Sequence, residues 1–280
     1  MGPLPDGDFD VYDCSYCNDI WLPAAIMKRR SVRTIVSLAC VAAALGCGAK
    51  AQEVACKFQP AGDVKVASVR DGRTLMLDDG RELRLAGIET SGDGHNALRK
   101  LADGQTLRLE RPGPAVDRYG RLVAFAFLPE ARQSVQQALL EQGEALVSAR
   151  IGDKACADAL LATERGARAA KRGLWADPNF APLSSENLPA LEAARGRFAL
   201  VEGKVLSVRE SGATIYMNFG RRWTRDFTVT VLKRQQRSFA AAGLDVKQLE
   251  GRRIRVRGWV ERRGGPIIEA AAPEQIELID

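Results

Sequence analysis

The chain lacks several things at once. No run of the about 20 apolar residues that a permanent bilayer-spanning helix needs is found; the most apolar stretch, Ile35–Leu45, is too short and is broken by Ser37. Cysteine is scarce, with six in 280 residues, and aromatic residues make up only 6%. Before residue 196 neither sign of charge is in excess: residues 1–51 carry five basic and five acidic side chains, and residues 52–195 carry twenty of each. Polar low complexity is lacking too, because 46% of the residues are hydrophobic, enough for packed cores and against wholesale disorder. The net charge of +6 therefore arises after residue 195, where sixteen basic residues face ten acidic ones. A basic excess of this kind attracts phosphate backbones, anionic lipid or acidic partners, and also serves solubility alone.

The start of the chain reads as non-structural. Residues 1–26 hold three prolines and five aspartates with no periodic apolar face, as in an untranslated or disordered extension. From Met27 the character changes. Lys28, Arg29, Arg30 and Arg33 precede the short apolar core, and Ala49-Lys50-Ala51 supplies a small-x-small cleavage pattern. This is the grammar of an export signal over residues 27–51, which predicts a mature chain from about Gln52 in the periplasm or outside the cell. Leu45-Gly46 before Cys47 fits lipid-attaching machinery poorly, so no lipid anchor is expected there. Cys14-x-x-Cys17 has no second pair to complete a metal or redox motif. Export leaves Cys56 and Cys156, which in an oxidising compartment would form a disulfide or remain two buried thiols.

Periodicity organises the rest. Residues 64–69, 74–77 and 83–88 alternate apolar side chains around turns at Asp71-Gly72 and Asp79-Gly80, predicting a three-stranded meander. A short helix over 94–102, strands around Leu107–Leu109 and Leu122–Leu128, and helices over 133–142 and 154–171 follow. Five strands with helices against them suit a small closed barrel of the OB type. Prolines 178 and 182 open a linker expected to run over 179–193. A second strand-rich domain over 194–280 is read as another small OB-like barrel, with a different barrel or a sandwich as alternatives. The expected fold is thus mainly β with helices: one OB barrel over 52–178, then a smaller OB-like one.

Three stretches carry a resemblance. Arg84-Leu85-Ala86-Gly87-Ile88-Glu89-Thr90 ends the third strand, Asp117-Arg118-Tyr119-Gly120-Arg121 opens the fifth, and Arg172-Gly173-Leu174-Trp175 closes the long helix. In order and spacing they resemble the staphylococcal nuclease (thermonuclease) family over about residues 60–176. The resemblance implies a calcium-dependent phosphodiesterase acting on DNA and RNA. Its two phosphate-binding arginines match Arg84 and Arg121, and its threonine beside the metal matches Thr90. Its carboxylates match less well. Glu89 replaces the third-strand aspartate, Arg73 falls where the aspartate of a DGDT turn belongs, and Ser91 and Gly92 fall where a proline and a glutamate belong.

Those replacements change the chemistry. Ca²⁺ takes six to eight oxygens, and Arg73 puts a permanent cation where the metal should sit, at a repulsive cost of a few kcal/mol at about 4–6 Å if the site is partly dry. The same charge draws phosphate. Arg73, Arg84 and Arg121 thus read as a phosphate cradle for DNA or RNA, single strands included, with cleavage impaired and no cofactor. The alternative is an active nuclease whose catalytic groups are Arg84, Arg121 and Glu89, with Ca²⁺ held by Glu89 and Asp93. A structural or partner-binding role is the third. Asp93 also suits the cap of the helix near Gly94, and His95, the single histidine, is a candidate metal-independent base. In the second domain Tyr216, Arg221, Arg222, Trp223, Arg225, Arg255, Arg257 and Trp259 form a candidate nucleic-acid surface, aromatics to stack bases and arginines to meet phosphates; both tryptophans equally suit a core or an interdomain contact.

Overall fold

A computed structural model describes residues 56–279, other than 92, 114, 115 and 150. The predicted signal, the Cys14-x-x-Cys17 pair and Cys47 lie outside the described residues. No described helix is long and apolar enough to cross a membrane.

The first lobe contains β1 (Gln59–Asp71), β2 (Thr74–Leu77), β3 (Glu82–Leu85), β4 (Ile88–Thr90), α1 (Gly94–Ala102), β5 (Thr106–Arg111), β6 (Leu122–Phe127), α2 (Val135–Gln142), β7 (Ala145–Val147) and α3 (Lys154–Ala169). Strands β1-β2-β3-β6-β5 close into a barrel. The long β1 makes closure possible, because it pairs with β5 through Lys65 and with β2 from Val66 onward. Register shifts between Val66 and Ser68, and between Val69 and Asp71, bend it from one neighbour to the other. Alternation fills the barrel: Val66, Leu75, Leu77, Leu83, Leu85, Leu107 and Leu109 are all buried.

Helices α2 and α3 are set by their ends. Ser134 accepts a hydrogen bond from Gln137 N (3.1 Å) at the start of α2, and Gly143, with φ of +78°, ends it in the left-handed region. Asp153 caps α3 by accepting from Cys156 N at 2.8 Å. Cys156 is disulfide-bonded to Cys56, 100 residues earlier, the first of the two outcomes that the cysteine count left open. The bridge ties the strand-leading segment to α3. Two elements escaped the sequence reading: β4 and β7, three residues each, which pair antiparallel through Glu89 and Leu146.

The second lobe overturns the expectation of a second barrel. It contains β8 (Leu183–Ser184), α4 (Leu188–Ala193), β9 (Phe198–Lys204), β10 (Ser207–Ser211), β11 (Thr214–Asn218), β12 (Thr228–Leu232), α5 (Gln236–Ala241), β13 (Arg253–Trp259), β14 (Glu261–Arg263), β15 (Gly265–Glu269) and β16 (Ile276–Leu278). These strands form two open sheets, β10-β11-β12-β15-β14 and β16-β13-β9-β8. The chain changes sheet most directly at two corners, Val205-Leu206 and Val260, where buried valines turn inward. There Val205 N donates to Arg252 O and Val260 N to Arg197 O, which prolongs the β9–β13 pairing at either end, and no ladder among the described residues joins the two sheets. The fold is therefore mixed α/β with one closed barrel. The two sheets share one core, with Val201, Ile254 and Val256 from one and Ile215, Met217, Val229 and Ile268 from the other. The stretch expected as a linker carries β8 and α4; β8 pairs with β9, and Leu191 of α4 enters the core.

A buried charge network joins the lobes. Arg257 of β13 is fully buried and donates to Glu164 of α3 at 2.7 and 3.2 Å, to Val147 O at 3.1 Å, and to Glu277. Glu164 also accepts from Val147 N (2.6 Å) and from Arg168 (3.1 Å). The i,i+4 pair Glu164–Arg168 of α3 belongs to this buried network, and one expectation changes: Arg257 is not presented to a nucleic acid. Its guanidinium faces the barrel lobe because β13 turns Ile254 and Val256 toward its own core and the alternate residues toward α3.

Candidate nucleic-acid interface

The candidate site lies at one end of the barrel and is assembled by close backbone approach. A side-chain carbon at Gly72 would come within 2.3 Å of Thr90 Oγ1, so only glycine lets the Asp71–Arg73 turn lie against β4. Arg73 N donates to Asp71 Oδ1 at 2.9 Å, fixing the turn. The Arg73 side chain then reaches Ile88 O (3.2 Å) and forms an ion pair with Glu89.

Arg84 projects from β3, opposite Thr74 of β2 and Val123 of β6. Arg121 precedes β6 and is clamped by Asp117 through Nε at 2.8 Å and Nη2 at 2.6 Å. Asp117 also accepts from the backbone of Tyr119 (2.8 Å) and Arg121 (3.1 Å), so the Asp117–Arg121 turn is held by one carboxylate. Burial pushes the Asp117 carboxyl up, but the Arg121 guanidinium and these backbone bonds prevail and hold it below its ordinary value. The Arg121 guanidinium lies over the Tyr119 ring, 5.1 Å from its centre.

Arg84 is the least neutralised of the three cations. It approaches Glu89 only to 4.0 Å, beyond hydrogen-bonding distance. Burial lowers its pKa first, and repulsion from Arg73 and Arg121 adds to this, with Glu89 and Asp71 opposing. Arginine stays charged regardless, so the shift records burial first and, after it, cationic crowding that a bound anion would relieve. Glu89 is shifted the other way from an ordinary salt-bridged carboxylate. Burial raises it more than Arg73 and Arg84 lower it.

A groove of about 470 Å³ opens beside these groups, lined by Arg70, Asp71, Thr74, Tyr119 and Arg121 among others. At its floor the Thr74 hydroxyl is buried and makes no hydrogen bond. Next to Arg84 in register and lining the same groove as Arg121, it is a spare polar group where an anion would meet the cations.

The carboxylates nearest these cations already have partners. Glu89 is engaged by Arg73, Asp71 by the Arg73 amide, and Asp117 by Arg121. Among the described residues no three side chains of His, Cys, Asp or Glu are grouped so as to hold a metal. Asp93 stands at the N-terminus of α1 without a side-chain cap bond, and its charge, after burial, raises the carboxyl of Glu144. His95 Nε2 lies 3.3 Å from Val69 O, an acceptor that holds the ring against β1.

Residues 92–177 match the family model described as Staphylococcal nuclease homologue. The matched stretch contains Tyr119, Arg121, the α3 helix and Gly173-Leu174-Trp175. It begins after Arg73, Arg84, Glu89 and Thr90, of which Arg84 lies on a barrel strand and Glu89 and Thr90 on the β4-β7 pair beside it. No curated protein matches the chain.

The structure divides the second-lobe candidates. Tyr216 and Trp223 line one groove on the outer face of the five-stranded sheet, and Arg221, Arg222 and Arg225 are exposed on the loop bearing Trp223. Arg255 is paired with Glu202 at 2.6 Å and so faces away from solvent. Trp259, 47% exposed, lies edge-on to Phe198 and lines a cavity of about 240 Å³ between the lobes, together with Glu89 and Thr90. Sequence reasoning missed Thr74, whose hydroxyl looks like any other alternating strand position until its missing partner is seen.

Proposed function

We propose that this is an exported staphylococcal-nuclease-like protein that binds nucleic-acid phosphates in the barrel groove, with phosphodiester cleavage impaired. The observation carrying this reading is the crowding of Arg73 and Arg121 on Arg84, beside a groove that Arg121 and the unpartnered Thr74 line. A phosphate oxygen in the groove accepts from Arg84 and Thr74, and Arg121 is already aimed by Asp117. Tyr119, exposed at the rim, offers a ring face to a neighbouring base.

Impairment follows from Glu89. Where the resemblance calls for a metal-holding carboxylate, this one is neutralised by Arg73, and the chemistry that generates hydroxide from water lacks a suitably free base. The Cys56–Cys156 disulfide supports an oxidising compartment, in keeping with the signal-like residues 27–51.

Fluorescence anisotropy with a labelled single-stranded oligonucleotide tests the groove. Arg84→Ala is expected to weaken binding by about 1.5–3 kcal/mol, roughly ten- to a hundredfold, as for a lost charge-assisted hydrogen bond. The logarithm of affinity should fall linearly with that of salt, with slope about 0.7 per phosphate neutralised. Unchanged affinity in both Arg84→Ala and Arg121→Ala would remove the proposal.

A further inference from the structure

The outer face of the five-stranded sheet holds a groove of about 200 Å³ that has no part in the fold's core. Side chains pointing away from the core at cross-strand positions build its floor: Tyr216 of β11, Thr230 of β12 and Glu269 of β15 stand in one row, Asn218, Thr228 and Ile267 in the next. In the second row Thr228 Oγ1 donates to Asn218 Oδ1 at 3.3 Å, and Asn218 in turn donates to Ser207 Oγ. In the first row the Thr230 hydroxyl has no partner although the residue is 97% buried by its neighbours, at 3% exposure. A buried hydroxyl without a hydrogen bond is costly, and Thr230 lines the groove, so a turn of its side chain would bring the hydroxyl to a ligand there.

Over the rim stands Trp223, 70% exposed, an unusual position for the largest apolar side chain. Its loop is ordered rather than slack. Asp226 accepts from Arg222 N at 2.7 Å, Arg225 N donates to Arg222 O, and Gly264 packs near the backbone of Thr224. The same loop exposes Arg221, Arg222 and Arg225, and the neighbouring β14 exposes Arg262 and Arg263. Arg263 reaches Glu269 on the groove wall at 3.6 Å. An aromatic plate, a floor with a spare hydroxyl and a cationic rim fit a ligand that is planar, edge-polar and polyanionic along its backbone. A neutral sugar would use the plate and floor but has no use for five exposed arginines.

We infer that this groove is a second binding site, one that takes a single base of a single-stranded nucleic acid between Trp223 and Tyr216, with the Thr230 hydroxyl meeting the base edge. It shares with the barrel-groove reading only the class of ligand, and it needs none of that groove's residues. Two such sites on one chain would make long strands bind more tightly than short ones by raising local concentration.

The full chain is titrated at low salt with a single-stranded oligonucleotide, and tryptophan emission is followed in native protein and in Trp223→Phe. The part of the quench lost in Trp223→Phe is expected to be present with the normal oligonucleotide and absent with an abasic strand of equal charge. Trp223→Ala should weaken binding on the order of ten- to a hundredfold, as stacked bases do. Thr230→Val, which swaps the hydroxyl for a methyl of like shape, should leave Tm unchanged or higher and weaken binding about three- to tenfold. The Trp223 quench should persist in Arg84→Ala, even if that variant shows no barrel-groove binding. Equal binding of normal and abasic strands, unaltered affinity in both Trp223→Ala and Thr230→Val, or Trp223 quenching by a neutral oligosaccharide but not by the oligonucleotide would each overturn the inference.

Discussion

The two lobes place their arginines in opposite ways. In the barrel lobe, Arg121, clamped by Asp117, lines an open groove, and Arg84 of β3 stands beside it. In the second lobe, Arg255 and Arg257 of the central strand β13 point into the lobe junction, where Arg257 is completed by Glu164 and Glu277. Its solvent-facing arginines include those of the Trp223 loop (Arg221, Arg222, Arg225) and of β14 (Arg262, Arg263). The difference teaches that a basic strand is read by what covers its second face. An alternating Arg-x-Arg-x-Arg run looks like a solvated stripe until another lobe is laid on it.

The largest expected effect breaks the junction. Removing one partner of the buried pair, by Arg257→Ala or Glu164→Ala, strands the other charge and should cost about 3–5 kcal/mol in urea unfolding. Arg84→Ala, in the open groove, should leave the unfolding midpoint nearly unchanged while it weakens oligonucleotide binding. Replacing Arg257 and Glu164 together with Met and Leu should recover most of the stability, since a well-packed apolar pair often equals a buried ion pair. If the double variant were as unstable as the singles, the junction would depend on the charges themselves.

A smaller effect separates the lobes by pH. Burial pushes Glu277 up, but Arg257 and Arg255 more than offset this and hold its carboxyl low. A depressed folded pKa contributes stability that is present above the unfolded value and is lost as pH falls through the folded one. Burial sets Glu89 high despite Arg73. A raised carboxyl binds its proton first in the folded state, so its contribution grows on acidification and fades as pH rises through the folded pKa. Protonation also releases Arg73 from Glu89. Affinity for a phosphodiester, whose own charge is constant here, should therefore rise by up to about tenfold on acidification from pH 7 toward 5. Glu89→Gln should flatten that dependence. An affinity that falls on acidification in the native protein would show that Glu89 does not compete for Arg73.

Much of the barrel lobe was legible because its signals are local. Asp71-Gly72 marks a turn, Asp117 and Arg121 sit four residues apart in one clamp, and Gly143 stops α2 with a φ that favours glycine. The four-residue strands β2 and β3 still show alternation. The three-residue β4 and β7 do not, since one period of two cannot be told from chance, and their pairing spans more than fifty residues. The second lobe was harder for the same reason. Whether its strands close depends on which strands pair across the two sheets, and such pairing leaves no trace in side-chain pattern. Arg257 looked like its neighbour Arg255, because the carboxylate that buries it lies 93 residues away. In the site, the arginines were found by spacing, while the free Thr74 hydroxyl became visible only once its surroundings were placed.

The central claim is that the barrel groove holds a phosphodiester without cutting it, because Arg73 occupies and neutralises the place of a metal-holding carboxylate. Its most direct test is an incubation of the full chain with end-labelled single-stranded DNA and RNA, with and without added Ca²⁺, alongside a binding measurement on the same samples. The account predicts bound, intact strands under both conditions, with binding lost in Arg84→Ala. Calcium-dependent cleavage that disappears in Arg84→Ala and in Glu89→Gln would contradict it.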